Sequence, residues 1–350
     1  MPRLKRVDCS TPGIERRRRG RGFTYVDGES GERVDEPEVL ARIRELGIPP
    51  AWNDVWVCPL PMGHIQAVGV DAAGRKQYIY HQKWRERRDT EKFDRMIEFA
   101  RALPDLRKVA TRHLALEGFP PDRVLAASIR LLDRGFFRIG MEDYAEKNHT
   151  YGLATMQKQH VTLRNNVITF DYAAKSGKQR IQSILDPDVS EVIAALKKRR
   201  GGSEELLAYK TGRIWTDVKA FEINDYIKRE TEGDFSAKDF RTWNATVLAA
   251  VALAVSGEVG KSPTARKRAR SRAVKEVSHY LGNTPAVCRA SYIDPRVFDR
   301  YNSGWTMFGA IEDVGAINEI GAPSIQGPIE EAVLDLLEDN RRSDAVEKIA

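Results

Sequence analysis

The chain has 350 residues, 41% hydrophobic and 31% charged, with a net charge of +7; that balance supplies buried cores for about two domains and excludes fibrous and disordered classes. The longest apolar stretch, Val247 to Val255, falls far below the ~20 residues that span a bilayer, and no apolar run follows the basic N-terminus, so neither a membrane span nor a secretory signal is expected. Cys9, Cys58 and Cys288 are an odd set without metal-ligand spacing, which argues against a disulfide framework or a zinc site and fits the cytoplasm.

Residues 1–22 carry eight Lys/Arg against two acids and few apolar side chains, the composition of a flexible basic arm. From Phe23 the pattern changes. Leu40 to Leu46 has helical spacing, stopped by Pro49 and Pro50. Val55 to Val57, Ile65 to Val70 and Gln77 to His81 read as short strands between turns, so residues 23–90 form a small β-rich domain. Phe93, Met96, Ile97 and Ala100 then follow helical spacing, opening a larger, mainly helical domain over 91–310.

One β interruption is expected there: His160 to Leu163, Val167 to Tyr172 and Arg180 to Ile184, a three-stranded meander around an Asn165-Asn166 turn and a turn at Lys175 to Lys178. Lys175 then lies at a hairpin tip. Helices resume after Pro187 and run, with breaks, to the end. Residues 311–350 read as an acidic helical tail, with an apolar stripe of Ile329, Val333, Leu336 and Leu337 behind Pro328. The class is therefore α+β. A basic body with a basic arm is the electrostatic footprint of a polyanion binder, and a solvated surface with a loose tail is the plainer alternative.

Three segments carry groups suited to chemistry. Ser236 with Asp239 makes a capping box, and Phe235 with Phe240 a hydrophobic staple, so a helix starts there with Lys238 and Arg241 three residues apart near N–H groups that favour anions. Two solvated cations on a capped helix would give the same pattern. Thr284 and Pro285 open a short helix that carries Tyr292 and is disfavoured beyond Pro295; a half-buried core tyrosine is the ordinary reading. Arg138 sits among Phe136, Phe137 and Ile139, where it needs either Glu142 at i+4 on a helix or a phosphate taking its paired donors.

In order, Arg138, Lys175, Lys238 with Arg241, Gly282-Asn283 and Tyr292 resemble the active-site series of type IB DNA topoisomerases, in the small poxvirus and bacterial forms. The stretch Gly74 to Tyr80 resembles the DNA-contacting strand of their N-terminal domain, and Tyr144 matches a further DNA contact. Asn283 departs from the poxvirus histidine; His279, four residues upstream, is a conceivable replacement. The resemblance implies a tyrosine recombinase/topoisomerase IB catalytic core. It further implies a Tyr292 nucleophile giving a 3′-phosphotyrosyl link, and Arg138, Arg241 and Asn283 stabilising the transition state. Lys175 would act as general acid with Lys238 assisting, and relaxation of both supercoil signs would need neither cofactor nor metal. Gln77, Tyr78 and Tyr80 are expected to meet the major groove of double-stranded DNA. Arg266, Lys267, Arg268, Arg270 and Arg272 would meet the backbone. A monomer in the cytoplasm, associated with the nucleoid, is expected.

Two rivals stand beside this reading. Tyrosine site-specific recombinases usually carry His-x-x-Arg where this chain has Lys238-x-x-Arg241, and a helical N-terminal domain where residues 55–81 here read as strands. A DNA-binding protein with a dead site would not need Tyr292 together with both arginines.

Overall fold

The computed structural model describes residues 3–256, 262–315 and 326–348, without the side chains of 143–144 and 312–315. The chain divides into two compact units, Met1–Phe93 and Asp94–Ala350.

The first unit contains β1 (Ile14–Arg19), β2 (Gly22–Asp27), α1 (Pro37–Glu45), β3 (Asn53–Val57), β4 (Ile65–Val70) and β5 (Lys76–Tyr80). The strands form one antiparallel sheet in the order β2-β1-β3-β4-β5. Its core is Ile14, Ile43, Val55, Val57 and Ala67, with Val39 and Leu46 of the α1 region and Ile79 of β5 packed against them. α2 (Gln82–Leu114) begins in this unit and ends in the second.

The expected flexible arm over 1–22 is corrected here. Ile14–Arg19 is β1, hydrogen-bonded to β2 on one side and β3 on the other. Lys5 exchanges backbone hydrogen bonds with Met62 and His64, both at 2.9 Å. Composition misses this because four consecutive arginines mask a strand that pairs along its length with its hairpin neighbour β2 and, at Ile14 and Glu15, with β3. Of its arginines, Arg16 is partly buried: it stacks 4.1 Å from the Phe23 ring and donates to the carbonyls of Pro49 and Trp52. The missed signal is the two-residue turn at Gly20-Arg21, with Gly20 at φ 58°.

The second unit continues with α3 (Pro121–Gly135), α4 (Glu142–Asn148), β6 (Val161–Arg164), β7 (Val167–Ala174), β8 (Lys178–Leu185), α5 (Pro187–Lys198), β9 (Ala208–Thr211) and β10 (Ile214–Asp217). Then come α6 (Ala220–Thr231), α7 (Ala237–Val255), α8 (Pro263–Leu281), α9 (Pro285–Ser291), α10 (Pro295–Asn302), β11 (Trp305–Thr306), α11 (Phe308–Gly315), α12 (Pro328–Leu337) and β12 (Glu347–Lys348). The architecture is mixed α+β, a β-rich first part followed by a mainly helical second. Among the described residues no helix is long and apolar enough to cross a membrane.

β6, β7 and β8 form the expected meander, with Asn165 and Asn166 both at positive φ in the first turn. A second β interruption, the β9–β10 hairpin, was not expected. Its strands have only four residues each, too short for alternation to stand out, and Gly212 at φ 60° is the local signal.

α7 is the axis of this unit. The Ser236 N–H donates to Asp239 Oδ2 at 2.8 Å, closing the expected cap, and the staple residues Phe235 and Phe240 both pack on Phe99. Fourteen of its nineteen residues are buried, because α3, α6, α8, α10, α11 and α12 all pack against it.

The acidic C-terminal segment is not a loose helical appendage. α12 buries Ile329, Val333, Leu336 and Leu337 and docks on α7; beyond it the chain turns and ends in the two-residue strand β12, paired to β11. Acidic composition hid this, because Glu330 is itself buried and paired with Arg107.

Candidate active site

Arg138 follows a left-handed cap. α3 ends at Phe136 with φ 54°, and the chain then runs extended, the Arg138 and Ile139 carbonyls accepting from Leu153 and Ala154 at 2.8 and 2.7 Å. Arg138 is therefore not on a helix, and the i+4 partner considered from sequence goes elsewhere: Glu142 lies 3.7 Å from Lys219. Arg138 instead donates to the side-chain carbonyl of Asn283, 145 residues away.

Asn283 is placed by the end of α8. Gly282 adopts the left-handed conformation at φ 62°, and the N–H groups of Gly282 and Asn283 return to the carbonyls of His279 and Ser278. The Asn283 Oδ1 faces Arg138, and its Nδ2 is buried without a hydrogen-bond partner. His279 lines the same cavity from the last turn of α8, but Asn283 is the residue joined to Arg138.

Arg241, on the second turn of α7, is 4% exposed. It donates to the Phe136 carbonyl and, at 2.9 Å, to the Leu281 carbonyl, which leaves its Nε without a partner. Its guanidinium lies 5.3 Å from the Tyr292 ring centre. Burial, with the charge of Arg138 beside it, lowers its pKa to about 10, so it remains a cation at neutral pH.

Tyr292 ends α9. Thr284 caps that helix by accepting from the Val287 N–H, Pro285 fills its first position, and the Tyr292 N–H closes on Cys288 at 3.0 Å. The Thr246 hydroxyl of α7 lies 3.4 Å from the Tyr292 carbonyl and anchors the turn. Burial pushes the phenol pKa up, but the positive charges of Arg241 and Arg138 outweigh it, so the net shift is downward.

A cavity of about 670 Å³ opens beside this group, lined by Arg134, Arg138, Lys175, Lys178, Arg180 and Arg241 together with Asn283, and by no carboxylate. Arg134 is neutralised by Asp186 at 2.9 Å. Lys175 reaches the cavity from the expected tip between β7 and β8, where Ser176 and Gly177 both have positive φ. Lys238 does not join it: its side chain is exposed on the first turn of α7 and outside the lining. The three-residue spacing from Arg241 brings the two close in sequence, but only Arg241 turns inward. Arg134, Lys178 and Arg180 are cavity cations that sequence reasoning did not assign to the site; the one signal for Arg180 was its place on the expected third strand of the meander.

On β5, side chains alternate between faces. Lys76, Tyr78 and Tyr80 are exposed together, the two tyrosine rings stacked 6.0 Å apart. Gln77 is on the opposite face, its amide tied to Asp71 at 2.9 Å, so Gln77, Tyr78 and Tyr80 do not form one patch. Tyr144 belongs to α4, and its side chain lies outside the described residues. On α8, Lys267, Arg268 and Arg272 are exposed, whereas Arg266 donates to the Asn302 carbonyl at 2.5 Å and Arg270 is half-buried.

The order of a β-rich unit followed by a helical unit agrees with the two family patterns that match the chain. The family pattern described as eukaryotic DNA topoisomerase I, catalytic core, matches residues 81–308. The pattern described as bacterial DNA topoisomerase IB, N-terminal domain, matches residues 22–71. The chain is 31% identical over 304 residues to DNA topoisomerase 1B of Acanthamoeba polyphaga mimivirus, covering 85% of this chain and 89% of the relative. It is 23% identical over 316 residues to DNA topoisomerase 1 of Rabbit fibroma virus (strain Kasza), covering 84% and 94%. Against DNA topoisomerase 1B of Vaccinia virus (strain Copenhagen) the identity is 21% over 237 residues, covering 66% and 71%. The chain belongs to the type IB DNA topoisomerases, which are isomerases, and a site-specific recombinase is not favoured.

Proposed function

We propose that the Tyr292 oxygen attacks a phosphodiester of duplex DNA, forming a 3′-phosphotyrosyl bond and releasing a 5′-hydroxyl. The observation that carries this is the Arg241 guanidinium 5.3 Å from the Tyr292 ring centre; its charge and that of Arg138 favour the ionised phenol despite burial. Charge then gathers on the non-bridging oxygens. Arg241 and Arg138 meet it, and the free Asn283 Nδ2 supplies one more donor. The departing 5′-oxygen takes its proton from Lys175 at the hairpin tip. Lys238, exposed and outside the cavity, is assigned to a neighbouring backbone phosphate rather than to proton transfer.

While the nick is open the downstream duplex rotates, and supercoils of both signs relax. The 5′-hydroxyl then attacks the phosphotyrosine and restores the strand. Bond energy is conserved in the covalent link, so the cycle needs no ATP, and the cations fill the electrostatic role of a metal. One active site per cut makes a monomer sufficient. Tyr78 and Tyr80 on the exposed face of β5, with Lys267, Arg268 and Arg272 on α8, are proposed to touch DNA. Three free cysteines, two of them buried, suit a reducing cytoplasm and nucleoid DNA.

The test is incubation with positively and negatively supercoiled plasmid in EDTA without ATP. Both should relax, and Tyr292→Phe should lose the covalent adduct while retaining DNA binding. Dependence on magnesium or ATP, or an adduct mapped to Tyr280 or Tyr301, would refute the assignment.

A further inference from the structure

Three arginines grip the segment between α8 and α9 at nearly successive residues. Arg180 Nη2 donates to the Tyr280 carbonyl at 2.6 Å, Arg241 Nη2 to the Leu281 carbonyl at 2.9 Å, and Arg138 to the Asn283 side chain. Arg241 and Arg138 also face Tyr292. Arg180 has a different set of partners: besides the Tyr280 carbonyl it bonds the Gln182 side chain at 2.8 Å. Tyr172 stands directly opposite Arg180 in the β7–β8 register, two residue pairs short of the last one, Ala174 with Lys178. The guanidinium also lies against Gly282, where a Cβ would fall 2.5 Å from Nη1.

We infer that Arg180 is a positioning residue that pins the β7–β8 hairpin, and with it Lys175, to the segment carrying Asn283. The inference rests on the assignment of Lys175 as proton donor. A hairpin tip is marginal by itself and frays unless its sides are held, and Lys175 lies in the turn just past the Ala174 pair. Proton transfer needs the amine within about 3 Å of the leaving oxygen, and a displacement of about 1 Å costs on the order of 100-fold. Arg180 joins the general-acid side of the reaction to the side that stabilises charge, without itself being required to touch the phosphate.

The test compares Arg180→Ala and Arg180→Lys with the unaltered protein in two measurements. In the free protein, hydrogen exchange at the amides of residues 173–178 should rise about tenfold or more in Arg180→Ala, while α7 amides stay protected. Single-turnover cleavage of ordinary DNA should slow roughly 10- to 100-fold. On DNA whose 5′-leaving oxygen is replaced by sulfur the loss should shrink to a few-fold, since a thiolate departs without a proton. Unchanged exchange at the tip, or equal losses on both substrates, would overturn the inference; equal losses would mean that Arg180 touches the phosphate directly. If Arg180→Ala exposes α7 as well, Arg180→Lys, which keeps one donor for Tyr280, decides by the same two readouts. A wild-type protein that leaves no adduct on Tyr292 would overturn the catalytic reading instead, and the exchange measurement would still decide the pin.

Discussion

The indole N–H of Trp243 donates to the Glu330 carboxylate at 2.7 Å, 87 residues away, and Trp243 stands two residues beyond Arg241 on α7. The same carboxylate takes both Nη atoms of Arg107 at 2.6 and 2.9 Å. Arg107 in turn pairs with Asp133 of α3 through two bonds of 2.9 Å. The C-terminal helix is thereby locked to α2, α3 and α7 behind the active site.

Glu330→Ala should therefore destabilise the protein by about 3 kcal/mol, since removing one partner of a buried ion pair leaves charge uncompensated. In a unit of this size that is a fall in Tm of roughly 6–12 °C. Glu330→Gln, whose carbonyl still accepts from Trp243, should lose less. Thermal melting of the two variants checks the order; an unchanged Tm in Glu330→Ala would show that the network contributes nothing to stability.

Ionisation of Tyr292 should begin below the ordinary tyrosine value of about 10. With the phenolate as the proposed nucleophile, cleavage should rise with pH through that ionisation and level off above it. Arg138→Ala removes one of the two charges that oppose burial and should move the inflection to higher pH. Ultraviolet difference titration against Tyr292→Phe, alongside the pH profile of single-turnover cleavage, measures both. An inflection that Arg138→Ala leaves in place would separate the arginine from the phenol.

Asn283 offers an acceptor to Arg138 and holds a buried donor without a partner. Asn283→Ala should slow cleavage by about 10- to 1000-fold, the range for losing one transition-state donor. Asn283→His should keep substantial activity through a ring N–H. Asn283→Asp keeps the acceptor and loses the donor, so it should cleave no faster than Asn283→Ala. An active Asn283→Asp enzyme would mean that the residue serves only to hold Arg138.

Arg17, Arg18 and Arg19 are exposed on β1 and present charge without supporting the core. Replacing all three by Gln should lower the slope of log affinity against log salt by about 0.9 for each DNA phosphate they had neutralised, with little change in melting. Deleting residues 1–22 should act differently, because it removes the strand between β2 and β3 and uncovers the core around Val57. Melting of the deletion should drop sharply; a fully stable deletion would show that β1 is dispensable.

Local chemistry made much of this legible in the sequence. The Ser236 cap, the Thr284-Pro285 start, the Asn165-Asn166 turn and the turns that bound β4 and β5 concern neighbours a few residues apart, so their hydrogen bonds follow from residue type and spacing. The order of Arg138, Lys175, Arg241, Asn283 and Tyr292 was visible through its resemblance to the type IB series, since each residue alone also fitted an ordinary structural role. Partners between distant segments were decided only by packing. Arg138 could have taken Glu142, and the fold gave it Asn283; Lys238 and Arg241 share a helix turn, and burial took Arg241 alone. The strand at Ile14–Arg19, the docking of α12 and the place of Arg180 depend on backbone and side-chain groups roughly 30 to more than 200 residues away. A sequence pattern specifies what a residue offers, but which buried donor meets which acceptor is settled when the elements pack and each buried polar group left without a partner costs stability.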